Sequence, residues 1–375
     1  PYVSGLYDNV GGRSDFNGGA DIFWKPNGRF QLSATVNPDF GQVEADDLVV
    51  NFSATETFIS DKRPFFTENQ GIFDFDMPDA GRLVYTRRIG GPSDADGKAS
   101  DIDAAVKLSS NVGGFELGTL VATESDYADD VGRAFFAQRA GRQFGTLGLG
   151  WLSTWVDRPW LERSALVNAL DVSWRPDERW SLSGQLLGSR MRQHDTASGM
   201  GGWLRGTYLP NSDWQHQLEL TYYGRGLDFN DMGYQRRGEY GEAGWSTTRS
   251  FSAFAEDDRR RNVEWEVEPR IRYNDAGVRL PAAVAVRRGA ALRAGGYQES
   301  KLTWTSSGYD DLSSRGHGLV WQEPRLQTLS HGYFSPRIGH WTWQLQAALL
   351  QEGKEVGEPL RQRICMGQGG RGVGI

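Results

Sequence analysis

Cysteine is nearly missing from this chain: Cys365 is the only one in 375 residues. An internal disulfide and any cysteine-cluster metal site are excluded, and a lone thiol is compatible with an oxidising envelope compartment. Long apolar runs are missing too. The most apolar stretch, Leu280 to Val286, ends in Arg287-Arg288, far short of the roughly 20 apolar residues that a spanning helix needs. With 38% hydrophobic residues and a mean hydropathy of -0.55, a helical membrane protein is disfavoured. A β-barrel escapes this test, because each strand shows only alternate residues to lipid. No excess of positive charge exists either. A net charge of -7 offers no polyanion-binding surface, so nucleic acid is not an expected partner. The chain opens at Pro1 without an initiator Met, a basic n-region or an apolar h-region. An export signal is therefore expected to be cleaved or to lie upstream of a fragment.

Catalytic signatures are equally sparse. His194, His216, His317, His331 and His340 lack the close spacing of a zinc site. No Gly-x-Ser-x-Gly elbow occurs, and Gly367 to Gly374 has the composition of a phosphate-binding loop without the strand and helix such a loop needs. The carboxylate pairs Asp129-Asp130, Asp257-Asp258 and Asp310-Asp311 sit among turn-forming residues, so no acid/base pair is nominated. The expectation is a protein that is not an enzyme and holds no cofactor.

Period-two alternation, in contrast, is abundant. Trp341, Trp343, Leu345, Ala347 and Leu349 share one face of a strand, with Thr342, Gln344 and Gln346 on the other. Val263, Trp265, Val267, Ile271 and Tyr273 face away from Glu264, Glu266, Glu268, Arg270 and Arg272. Leu218, Leu220 and Tyr222, the set Leu147, Leu149, Trp151 and Trp155, and the set Trp180, Leu182 and Leu186 form further stripes. Connections switch between short (Asn111–Gly114, Arg175–Glu178, Pro210–Asp213) and long (Glu124–Gly132, Arg192–Gly201, Gly224–Gly241). That rhythm suits a membrane barrel whose two rims face different compartments. Trp155, Trp174, Trp180, Trp214 and Tyr223 stand near strand ends, where rings suit the headgroup region, although a soluble sandwich would use them as core or edge aromatics. The predicted fold is all-β, an antiparallel up-and-down transmembrane β-barrel over residues 1–360, with the clearest strands in 101–273. The pattern fades after Ala276, and Val278 to Gly296, rich in Ala and Arg, alternates too poorly for strands to be placed. Residues 361–375 read as a disordered or non-native tail without a terminal aromatic strand, so the barrel is expected to be incomplete in this chain.

The densest run of motifs lies in residues 1–100. Asp39, Gln42, Glu44 and Asp46 bring oxygen ligands within one short stretch, suitable for calcium but matching no standard calcium loop. The alternative is structural: Glu44 and Asp46 pair with Lys62, Arg63, Arg87 and Arg88 inside the barrel, and Glu264, Glu266, Glu268, Arg270 and Arg272 extend that lumen charge network. A second candidate is the loop Gly226 to Arg237. Its Asp228, Asn230 and Asp231 could meet sugar hydroxyls or a cation, and Phe229 or Tyr234 could stack on a ring; the plainer reading is a solvated turn.

Three words, Asn37 to Asp46, Lys62 to Phe66 and Tyr85 to Gly90, together resemble an uncharacterised bacterial family. Its members join an N-terminal module resembling carbohydrate-binding family nine to a C-terminal outer-membrane β-barrel. The likeness is strong over residues 1 to 100 and thinner to about residue 350. Ile59-Ser60-Asp61 replaces the family's Phe-Pro-Glu, and the binding-like module is missing upstream. The resemblance implies an outer-membrane protein of the Gram-negative cell envelope, a solute channel or an anchor for an envelope complex, with lipid as its partner. The alternative is a carbohydrate-binding or carbohydrate-processing envelope protein, with glycans as partners and its activity dependent on the upstream module.

Overall fold

The computed structural model describes residues 1–8, 13–38, 55–126, 131–314, 318–335, 344–352 and 362–368. Nearly all of its regular structure is strand: β1 (Tyr2–Asp8), β2 (Arg13–Asn27), β3 (Phe30–Val36), β4 (Ile102–Val112), β5 (Phe115–Glu124), β6 (Ala134–Phe144), β7 (Leu147–Arg158), β8 (Arg163–Trp174), β9 (Trp180–Arg192), β10 (Thr196–Asn211), β11 (Trp214–Tyr223), β12 (Tyr240–Phe251), β13 (Arg260–Asn274), β14 (Ala283–Leu292), β15 (Tyr297–Thr305), β16 (Gly308–Asp310), β17 (Val320–Gln322), β18 (Arg325–Phe334), β19 (Gln344–Glu352) and β20 (Gln362–Gln368). Each strand from β1 to β8 pairs antiparallel with the next. The same holds from β12 to β15 and on through β18, β19 and β20. β16 and β17 form a separate hairpin.

The architecture is thus an all-β, antiparallel, up-and-down sheet, as alternation predicts. It differs from the expected barrel in that the sheet is not closed among the described residues. Closure needs a ladder between first and last strands, and no described pairing joins β1 to β20. Among the described residues no helix is long and apolar enough to cross a membrane. Three local expectations change. Residues 192–201 are not a long loop, because β9 and β10 run to Arg192 and from Thr196. Val278–Gly296 contains β14, and the 361–375 tail contains β20, whose backbone pairs with β19 from Leu345↔Gln368 to Gln351↔Gln362.

The chain divides into two compact units, one of residues 1–174, 183–203 and 223–239 and one of 175–182, 204–222 and 240–375. In the first, the sheet has two unlike faces. Leu120, Ala122, Phe135, Ala137, Leu152, Val156, Ala165, Val167 and Ala169 are buried on one face, together with the polar Gln31, Ser33, Thr35, Lys107 and Asp171. This covered face lies under residues 55–100, a segment with almost no regular structure beyond the one-turn α1 (Pro64–Thr67) and three short 3-10 turns. The segment buries Phe66, Phe73, Met77, Leu83, Val84 and Ile89. The opposite, open face exposes large apolar residues, among them Ile22, Val106, Leu117, Val121, Trp155, Leu166 and Leu170.

In the second unit β13 repeats the division. Trp265, Val267, Ile271 and Tyr273 are exposed. On the other face Glu266 pairs with Arg287 at 2.9 Å, and Arg270 and Arg272 both reach Glu242.

Candidate functional site: a charge cluster that seats the covering segment

Residues 55–100 satisfy their polar groups through the sheet rather than through helices. Each anchor is a side chain at an inward strand position. From β3, the Gln31 side-chain carbonyl accepts from Asn69 at 2.6 Å. From β4, the Lys107 ammonium donates to the Phe65 and Glu68 carbonyls. From β5, Gly118 leaves room for the segment: a Cβ there would stand 3.0 Å from Ile72 and 3.1 Å from Phe73. From β6, Arg139 is held by Asp171 and lies 5.2 Å from the Phe75 ring.

The heaviest anchoring is ionic. Within the segment, Arg63 makes a bidentate pair with Asp61 and donates to the Ile89 carbonyl at 2.7 Å and the Thr86 carbonyl at 2.8 Å. The Thr86 hydroxyl donates to the same carboxylate at 2.6 Å. Burial pushes the Asp61 carboxyl up, but these hydrogen bonds and the Arg63 charge outweigh it and hold the group below the usual carboxylate range. Asp74 lacks such support: burial raises it against the opposing pull of Arg82.

At the strand ends, Glu124 is clasped by Arg133 at 2.6 and 2.9 Å and accepts from the Gly90 N–H at 2.7 Å. Arg133 also donates to the Gly91 carbonyl at 3.1 Å. Arg158 bridges Asp94 of the segment (2.9 Å) and Asp231 (2.8 Å), and Arg163 grips Asp231 at 2.7 and 2.9 Å with Asp228 at 3.2 Å. The Asp231 side chain is only 3% exposed. Burial would raise its carboxyl, yet the hydrogen bonds from Arg163 and Arg158 hold it below the ordinary range.

Asp231 belongs to the loop 224–239, which folds inward. Arg82 and Tyr234 exchange backbone hydrogen bonds at 3.0 and 2.7 Å, and the Tyr85 N–H donates to the Met232 carbonyl at 2.8 Å. Gly233 is required by this approach, since a Cβ there would lie 2.4 Å from the Arg82 carbonyl oxygen. Arg88 donates to the Gly233 carbonyl at 3.0 Å and pairs with Glu56 at 2.7 Å. Phe58, Tyr85 and Tyr234 form a ring cluster with centroids 5.2 to 5.6 Å apart.

Residues Gly226–Arg237 are consequently no solvated turn. Asp228, Asn230 and Asp231 are engaged by Arg163, Arg158 and Arg88, and the buried rings of Phe229 and Tyr234 pack on Tyr223 and on Phe58 with Tyr85. Of the residues singled out as lumen charges, Arg63 and Arg88 meet Asp61 and Glu56, and Lys62 and Arg87 line the same cavity of about 840 Å³. Glu44 and Asp46, with the calcium candidates Asp39 and Gln42, lie outside the described residues. Among the described residues no group of three or more His, Cys, Asp and Glu is placed to hold a metal.

Sequence reasoning missed Asp61, Asp94, Glu124, Arg133, Arg139, Arg158, Arg163 and Asp171. The available signal was charge at positions opposite a greasy stripe: Arg139 sits between the outward Gln138 and Ala140, and Asp171 between the outward Leu170 and Val172. What the arrangement does chemically is fix an irregular segment to a strand face. No curated protein matches the chain. The segment and the strands β1 to β4 fall within residues 1–117, the span over which the chain is similar to a family described as a domain of unknown function (DUF5916).

Proposed function

We propose that this chain is an outer-membrane protein whose sheet closes around the covering segment, meets lipid on its open face and serves as a plugged conduit for a solute. The observation that carries the reading is the inverted distribution of charge. From β3 to β8 the outward positions in regular register hold only two ionisable side chains, Arg142 and Asp157, with Asp103 exposed at the bulged start of β4, while the covered face holds the ion pairs described above. Arg142 stands opposite Leu149 and Asp157 opposite Ala134, eight residues along β7. At about 3.4 Å per residue that is about 27 Å of strand, or about 20 Å of height at a tilt of about 40°. An outer-membrane apolar band is about 25 Å tall.

A water-soluble sheet has no use for such a band, because contiguous exposed apolar surface favours association. Residues 55–100 act in this reading as the plug. The glycan alternative draws no support from the 224–239 loop, whose rings are buried.

The test is mobility of the full-length protein on a denaturing gel after detergent extraction of outer membranes. A folded, strand-built membrane protein migrates differently before and after boiling. Recovery of all the protein in the aqueous fraction would overturn the proposal.

A further inference from the structure

Among the open-face arginines without a hydrogen-bond or carboxylate partner among the described residues, Arg142, Arg249 and Arg288 are set apart by the aromatic rings beside them. In the first unit, Arg142 lies between Phe115 and Phe144, 4.7 and 5.0 Å from the centroids. It stands two residues from the end of β6 and opposite Phe115, the first residue of β5. The second unit repeats the device. Arg249, two residues from the end of β12, lies 4.8 Å from the Trp214 ring and 4.5 Å from the Phe251 ring. On the neighbouring strands Arg249 faces Trp265, and Trp265 faces Arg288, whose guanidinium is 6.0 Å from that ring.

An arginine on an exposed apolar face is costly in lipid unless its charge reaches the headgroups. The neighbouring rings pack against each guanidinium and leave its N–H donors free, and such donors suit a phosphate oxygen pair. Within its own unit Arg142 lies toward the short connections beside Phe115 and Phe144, Arg249 lies two residues from the end of β12, and Arg288 stands within β14. The two units arrive at this pattern independently.

We infer that Arg142, Arg249 and Arg288, each lying against one or two aromatic rings, are seats for the phosphate of anionic phospholipid headgroups. The inference rests on the membrane reading and goes further, because it names the lipid chemistry and the residues that take it. Glu264 and Glu266 on β13 point to the opposite face and do not neutralise the row.

The experiment is binding of the detergent-folded full chain to phosphatidylcholine vesicles with and without a minority of phosphatidylglycerol, for the parent and for Arg142→Gln, Arg249→Gln and Arg288→Gln. The parent is expected to prefer the anionic vesicles, and each substitution to reduce that preference about fivefold, with the triple variant losing it, from about 1 kcal/mol per cation near an anionic surface. Inorganic phosphate at buffer concentration is expected not to compete. Equal binding to both vesicle types, or a triple variant with undiminished preference, overturns the headgroup inference. If boiling still shifts gel mobility in that case, the membrane reading survives it; loss of both signals overturns the two together. Arg190→Gln, an exposed position outside these ring frames, is the control and keeps the parent's preference.

Discussion

Replacing Asp231 by asparagine tests whether charge holds the covering segment. Its carboxylate receives four guanidinium hydrogen bonds, at 2.8 Å from Arg158 and at 2.7, 2.9 and 3.2 Å from Arg163, and its side chain is 3% exposed. Asparagine keeps one acceptor oxygen and turns an NH2 donor toward one of the two cations. Breaking a buried pair on one side costs about 3–5 kcal/mol. Arg158 retains Asp94 and Arg163 retains the half-buried Asp228, so a loss of about 2–3 kcal/mol is expected here. The readouts are the urea midpoint of the detergent-folded chain and protease cutting within residues 82–100, which Asp231 and its loop tether. A double-mutant cycle with Arg163→Gln sharpens the result: removing the cation that has lost its closer carboxylate should recover about 1 kcal/mol. A variant within about 0.5 kcal/mol of the parent, with unchanged cutting, would refute the claim that this cluster seats the segment.

Acid should act through the same groups. The folded pKa values of Asp61 and Asp231 are depressed. Their stabilisation is complete above the unfolded value of about 3.9 and drains away as pH falls below it through the depressed folded values, so unfolding midpoints measured from neutral pH downward should hold until about pH 4 and then drop. Asp231→Asn should flatten that drop. Gly233→Ala forces a Cβ to within 2.4 Å of the Arg82 carbonyl and should break the Arg82–Tyr234 bridge, seen as faster amide exchange at both residues. Lys107→Met leaves the Phe65 and Glu68 carbonyls without their ammonium donor and should cost about 1–3 kcal/mol in urea unfolding. Trp155→Arg places a cation on the open face: vesicle insertion should weaken by about 2–4 kcal/mol if that face meets lipid, whereas a water-facing site would lose less than about 0.5 kcal/mol.

How legible the sequence was depended on how cleanly each strand separated its faces. β13 was readable because Glu264, Glu266, Glu268, Arg270 and Arg272 alternate with Trp265, Val267, Ile271 and Tyr273. β14 was not, because it carries arginine on both faces: Arg287 points to Glu266, Arg288 to the Trp265 ring, and small alanines between them blur the period. Thr196 to Gly202 failed for want of large side chains, although Gly199 there lets the 224–239 loop approach so closely that a Cβ would meet the Leu227 backbone at 1.9 Å. Residues 55–100 have no period at all. Their order comes from carbonyls and carboxylates met by arginines as distant as Arg158, which no local pattern encodes. The dense words of the N-terminal region therefore marked an important segment while hiding how it is held.

The open face carries its own internal argument. One row of direct cross-strand neighbours runs Ile22, Ala34, Val106, Val121, Phe136, Trp155 and Leu166, apolar throughout. The adjacent row begins with Trp24, Leu32 and Leu108 and ends with Thr119, Gln138, Ser153 and Asn168. This second row turns polar, yet it remains without charge. A neutral amide or hydroxyl in an apolar medium costs far less than an ion and is further relieved by a neighbour of the same kind. Charge is what the lipid side of a strand must avoid, and from β3 to β8 the regular outward positions carry it only at Arg142 and Asp157, at the two limits of the band. The covered face shows the converse, since Lys107, Arg139 and Asp171 sit at inward mid-strand positions where the segment and its partners can satisfy them. One strand pattern thus serves two media, and the segment at residues 55–100 makes the polar side habitable.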